Sequence, residues 1–146
     1  MKPGLQPGQT AEVEVTVSEE MLASFEGEKV HELYSTSMLV NHMEWVARKL
    51  ILPYLESGEA GMGSYAEVSH LRLTLPGMKV RLRATVTDIR DNKVICLVEA
   101  FNPRGKIARG VITQAVVDRS WLDRKMNEMS AAENPTQEVG PSVKSL

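Results

Sequence analysis

The chain has 146 residues, 42% of them hydrophobic, which is enough to bury one good core, and nothing in its size calls for a second domain. Its 17 basic and 19 acidic residues are interspersed and leave a formal charge of −2, so neither nucleic acid nor an anionic membrane is an expected partner. A lone cysteine, Cys96, permits no internal disulfide, no uncharged apolar run reaches membrane-spanning length, and residues 1–8 lack the apolar core of a signal peptide; the expected compartment is the cytoplasm.

After a lead-in rich in Pro and Gly, residues 11–17 alternate with period two, Val13, Val15 and Val17 inward and Glu12, Glu14 and Thr16 outward, which predicts a half-buried strand. Ser18 before Glu19 and Glu20 predicts an N-cap and a short helix over 19–23. Residues 25–33 are polar, contain Gly27 and read as a loop of the kind that can lie over a pocket mouth. The longest pattern covers 36–55. At about 100° per residue, Leu39, Val40, Met43, Val46, Ala47, Leu50, Ile51 and Tyr54 share one arc, Ser37, Asn41, Glu44 and Arg48 form a polar stripe along its edge, and His42 and Lys49 make a second polar patch. This predicts one long helix covered on several sides, capped by Thr36 or Ser37 and stopped by Pro53 and the polar residues 56–61.

A strand follows from Gly63, with Tyr65, Glu67, Ser69 and Leu71 on one face and Ala66, Val68, His70 and Arg72 on the other; the pattern leaves open which face points inward. Pro76-Gly77 marks a turn, and Val80, Leu82, Ala84 and Val86 alternate clearly along the next strand. Asp91-Asn92 turns the chain into a strand over 94–101, and residues 102–106 close a hairpin into 107–117. A short helix is expected over 121–129, followed by a polar, flexible tail over 130–146. An antiparallel meander with one apolar face must cover something. The solution is an α+β hotdog fold, a curved sheet wrapped around the long helix, as one domain over 1–129.

No glycine-rich phosphate loop, paired-cysteine motif or Gly-x-Ser-x-Gly elbow is present, and no metal or resident cofactor is expected. What remains is Glu44, Thr36 and three histidines, His31, His42 and His70. A carboxylate partly withdrawn from water gains the basicity that a general base or nucleophile needs, although an i, i+4 pair with Arg48 would also explain Glu44. Thr36 either caps the helix or offers a hydroxyl at its positive end. His70 is either a hydrogen-bonded core histidine or an acid and base. His31, in a loop, and His42, facing away from Glu44, rank lower.

The stretch from His31-Glu32-Leu33-Tyr34-Ser35-Thr36 through Met43-Glu44-Trp45 and residues 52–59 to Gly63, His70 and Pro76-Gly77 resembles the fluoroacetyl-CoA thioesterase family of hotdog proteins. The resemblance runs without a gap from about residue 36 to 117. That family uses a threonine before the central helix, a glutamate on it and a histidine on the following strand, which Thr36, Glu44 and His70 match. The resemblance implies hydrolysis of an acyl-CoA thioester, Glu44 attacking the carbonyl or activating water, Thr36 positioning, and His70 serving as acid and base. Gly63 matches a family glycine beside the substrate, where a missing side chain lets the backbone approach the acyl group; turn geometry is the structural alternative. Gln114 stands where the family has an arginine and keeps only hydrogen bonding.

Gly27 and Val30 replace aromatic lid residues of the family, so a short or substituted acyl group is expected rather than fluoroacetyl in particular. Trp45 reads as packing. The family further implies a homodimer with active sites at the interface, leaving pairing into tetramers open, and cationic contacts for the CoA nucleotide among Arg72, Arg81, Arg83, Arg104, Lys106 and Arg109. The competing reading is a hotdog dimer that holds acyl-CoA or another small apolar ligand without turning it over. A hydratase on the same fold ranks below both, because the aspartate and histidine expected on its helix are missing.

Overall fold

The computed structural model describes residues 1–132. The chain runs β1 (Thr10–Thr16), a 3-10 turn (Glu19–Met21), β2 (Leu22–Phe25), β3 (Glu28–Tyr34), α1 (Thr36–Ile51), a second 3-10 turn (Leu52–Tyr54), β4 (Glu59–His70), β5 (Lys79–Arg90), β6 (Lys93–Asn102), β7 (Gly105–Asp118) and α2 (Arg119–Ala132). Five strands form one antiparallel sheet in the order β1-β5-β6-β7-β4, and β2 and β3 form a separate hairpin.

Alternation in the sequence becomes the inner face of this sheet. Val80, Leu82, Ala84 and Val86 of β5 and Val94, Cys96, Val98 and Ala100 of β6 are all buried, and the register sets Leu82 opposite Ala100, Ala84 opposite Val98 and Val86 opposite Cys96. α1 packs across all five strands. Its Leu39, Met43, Val46, Ala47, Leu50 and Ile51 are buried, as the apolar arc requires, and each large side chain so covered contributes about 1.5–3 kcal/mol. The result is the α+β hotdog arrangement read from the sequence.

Several local expectations are corrected. The helix expected over 19–23 is one 3-10 turn, because the Ser18 hydroxyl bonds the Glu20 carboxylate instead of a backbone amide and Leu22 is drawn into β2 opposite Tyr34. The loop expected over 25–33 is the β2–β3 hairpin, turned by Glu26 and Gly27, both with positive φ. Ser35, not Thr36 or Ser37, caps α1: its side chain accepts from the Met38 amide at 3.1 Å. β4 begins at Glu59, four residues before the expected start, and α2 extends from Arg119 to Ala132. The tail expected over 130–146 therefore loses its first three residues to α2, and the rest of it lies outside the described residues.

β4 is the sheet's edge. It pairs with β7 on one side only, and residues 62–67 are exposed. Of the two faces left open by its sequence, the one carrying Val68 and His70 is the better covered, while Tyr65, Glu67 and Ser69 are exposed.

Candidate active site

Two groups of side chains stand along the seam between α1 and β4. The first lies where the chain enters the helix. Because Ser35 satisfies the cap, Thr36 is released from that duty, and its hydroxyl lies 2.8 Å from His70 Nδ1. His70 Nε2 is buried without a hydrogen-bond partner. Burial pushes the imidazole below its ordinary pKa, the Arg72 backbone pulling weakly the other way, so the ring favours the neutral form. If the Thr36 hydroxyl donates to Nδ1, the ring proton sits on Nε2, the atom left unpaired.

The second group lies two turns further along α1. Glu44, Asn41, Trp45, Arg48, Gly61, Gly63 and Gln114 line an open cavity of about 330 Å³. Gly63 is opposite Gln114 in the β4–β7 register. A β-carbon at Gly63 would fall 2.8 Å from a Glu44 carboxylate oxygen, so the missing side chain is what lets that carboxylate lie against the strand. Turn geometry does not explain this glycine, which sits inside β4 at an ordinary φ. Gln114 is buried, with its amide nitrogen 4.0 Å from the same point.

Within one chain these groups stay apart. Glu44 makes no hydrogen bond to Thr36 or His70, and eight helical residues separate it from Thr36 by about 12 Å along the axis. Glu44 is exposed, so the partial burial expected of it is not supplied by its own chain. Nor does it pair with Arg48, whose guanidinium donates to the Gly61 carbonyl at 3.1 Å. Trp45, read from the sequence as packing, is 45% exposed and walls the cavity. Asn41 and Arg48 join Glu44 in the lining, as their shared polar stripe on α1 signals in the sequence.

The other histidines and four of the candidate cations lie away from the Glu44 cavity. His31 is exposed on β3, not in a loop, and His42, expected on a polar patch, is 7% exposed, its Nδ1 hydrogen-bonded to the Tyr34 hydroxyl. Burial lowers the His42 pKa. Arg81, Arg83 and Lys106 gather around the Phe101 ring, and Arg83 and Lys106 also pair with Glu99. Arg72 donates to the Arg104 carbonyl at the His70 end of β4. Among the described residues no cluster of His, Cys, Asp and Glu is placed to hold a metal ion, and no helix is long and apolar enough to cross a membrane.

A helix wrapped by an antiparallel sheet, with a carboxylate, a hydroxyl and an imidazole on the seam, belongs to the hotdog class that includes thioesterases. A Thermus thermophilus hypothetical protein, described as a thioesterase superfamily member, superposes with a TM-score of 0.86 at 37% identity, over 89% of this chain and 96% of the other. A point variant of the fluoroacetyl-CoA-specific thioesterase superposes with a TM-score of 0.80 at 25% identity, over 88% and 99% of the two chains. The fluoroacetyl-CoA thioesterase of Streptantibioticus cattleyicolor is 28% identical over 101 residues, 69% of this chain and 73% of its own length. The family model described as fluoroacetyl-CoA-specific thioesterase matches residues 17–120. The chain belongs to that family and is a thioester hydrolase.

Proposed function

We propose that the chain hydrolyses short or substituted acyl-CoA thioesters to free acid and CoA, in sites that two copies of the chain build together. What carries this reading is the split of the residues into two incomplete halves, one beside Gly63 and one at His70, along a strand with one unpaired edge. Gly63 and His70 are seven residues apart on β4, roughly 20 Å. An antiparallel pair of β4 strands centred between residues 66 and 67 sets Gly63 of each copy opposite His70 of the other. Glu44 then faces the partner's Thr36 and the partner's His70. The same pairing covers residues 63–70 of an edge that would otherwise expose its amides and carbonyls.

In such a site Glu44 attacks the thioester carbonyl carbon or takes a proton from the water that does. Negative charge developing on the carbonyl oxygen is met by backbone amides at the positive end of α1. His70, neutral at rest, accepts a proton from water and, as imidazolium, passes it to the departing sulfur, so that the ring returns to its starting form. Thr36 fixes the ring's orientation, Gly63 leaves room for the carboxylate against the strand, and Gln114 offers an amide to the acyl oxygen. The reading takes residues 1–129 as one hotdog domain working as a cytoplasmic homodimer.

Mixing decides between a shared and a private site. Glu44→Gln and His70→Asn homodimers should each be nearly inactive. Unfolding and refolding them together in equal amounts should restore about a quarter of the wild-type rate, since half the dimers are mixed and each mixed dimer has one intact site. No recovery, from variants shown to exchange subunits, would place all three residues in a single chain.

A further inference from the structure

Asn41 and Arg48 take no part in the reaction just described, yet they line the cavity of Glu44. Glutamate and arginine four residues apart on a helix ordinarily pair. Here the arginine reaches across β4 to the Gly61 carbonyl, and among the described residues no carboxylate lies within ion-pair distance of it. Gly61 lets α1 lie close against the strand there: a β-carbon would strike Ile51 Cδ1 at 2.6 Å, with the bonded guanidinium nitrogen 3.6 Å away. One hydrogen bond thus anchors the head and leaves most of its five N–H donors facing the cavity.

The rest of the lining consists of Asn41, Trp45, Gly63 and Gln114, that is, amides and one aromatic face without an alkyl wall. A hydrocarbon chain gains little against such a surface. A planar anion gains a charge-assisted, bidentate contact. Gly61 and Gly63 are two residues apart on the strand, roughly 7 Å, so the guanidinium beside the first stands about that far from the carboxylate beside the second. An acyl group with its thioester carbonyl at Glu44 and a carboxylate two or three methylenes further on spans the gap.

We infer that Arg48 selects thioesters whose acyl group ends in a carboxylate, the CoA monothioesters of short dicarboxylic acids. The inference rests on the thioesterase reading above and is tested separately from it. Hydrolysis of glutaryl-CoA is compared with that of pentanoyl-CoA, for the wild-type protein, Arg48→Gln and Arg48→Lys. The wild-type protein should favour glutaryl-CoA by about tenfold or more in kcat/KM, the ratio should fall by about 100-fold in Arg48→Gln, and Arg48→Lys should recover part of it. A wild-type protein that hydrolyses pentanoyl-CoA as well as glutaryl-CoA overturns the selection and leaves the thioesterase reading standing. So does a loss in Arg48→Gln that strikes both thioesters equally, the result expected if the guanidinium serves the CoA phosphates. Should Arg48→Gln fail to fold, the wild-type ratio and its fall in Arg48→Lys decide. A wild-type protein inactive on every acyl-CoA offered defeats the thioesterase reading itself.

Discussion

The two ends of the α1–β4 seam differ in how far one chain can finish them. At the helix start the cap is satisfied from within, and Thr36 and His70 Nδ1 already touch. Two turns on, Glu44 lies exposed in an open cavity beside β4, the strand that has no neighbour on one side. The difference teaches that the contact between Thr36 and His70 is set by folding, whereas on the proposed reading the surroundings of Glu44 are left to assembly.

The largest break in this comparison is at the unfinished end. Glu44→Gln should lower kcat by about 1,000-fold or more, read by trapping released CoA, while an unhydrolysable acyl-CoA analogue still binds in calorimetry. At the finished end His70→Asn should cost about 100-fold and Thr36→Val about tenfold, with Thr36→Ser retaining most of the rate. Gly63→Ala tests the contact between strand and carboxylate. Its new methyl must displace a Glu44 oxygen 2.8 Å away, and a fall of about tenfold in kcat with little change in melting temperature is expected.

Smaller effects separate capping from chemistry. Ser35→Ala should lower stability to urea by about 1 kcal/mol, and Thr36→Val should not, because the cap bond is made by Ser35. Acid should also destabilise the fold. Burial pushes His42 and His70 below the ordinary histidine pKa of about 6.5. Their contribution is therefore complete above that pH and is lost as pH falls towards the depressed folded-state values. A melting temperature measured from pH 7.5 down to 5 should drop, and less steeply in His42→Phe.

Legibility followed burial. β5, β6 and α1 were read with little error because each buries one face and leaves an apolar period behind. The β2–β3 hairpin left none, since residues 24–32 are exposed apart from backbone pairing, and a strand without a buried face looks like a loop. The inward face of β4 was unreadable for a related reason, as an edge strand takes little cover from its own chain. Three hydroxyls in a row, Ser35, Thr36 and Ser37, hid which one caps. His42 misled in the opposite sense, a polar residue buried because Tyr34, eight positions earlier, offers it a hydroxyl. The grouping of Thr36, Glu44 and His70 came from resemblance, since no local pattern links a helix start, a helix middle and a strand end.

Cys96 offers a built-in gauge of how tightly the sheet holds together. It is the chain's only cysteine, fully covered on β6, and burial pushes its thiol up to about 11. A dye that captures released CoA within seconds therefore reads product alone, and over longer times the same dye labels protein only as often as β6 breathes open. One reagent can thus clock turnover and opening in a single cuvette.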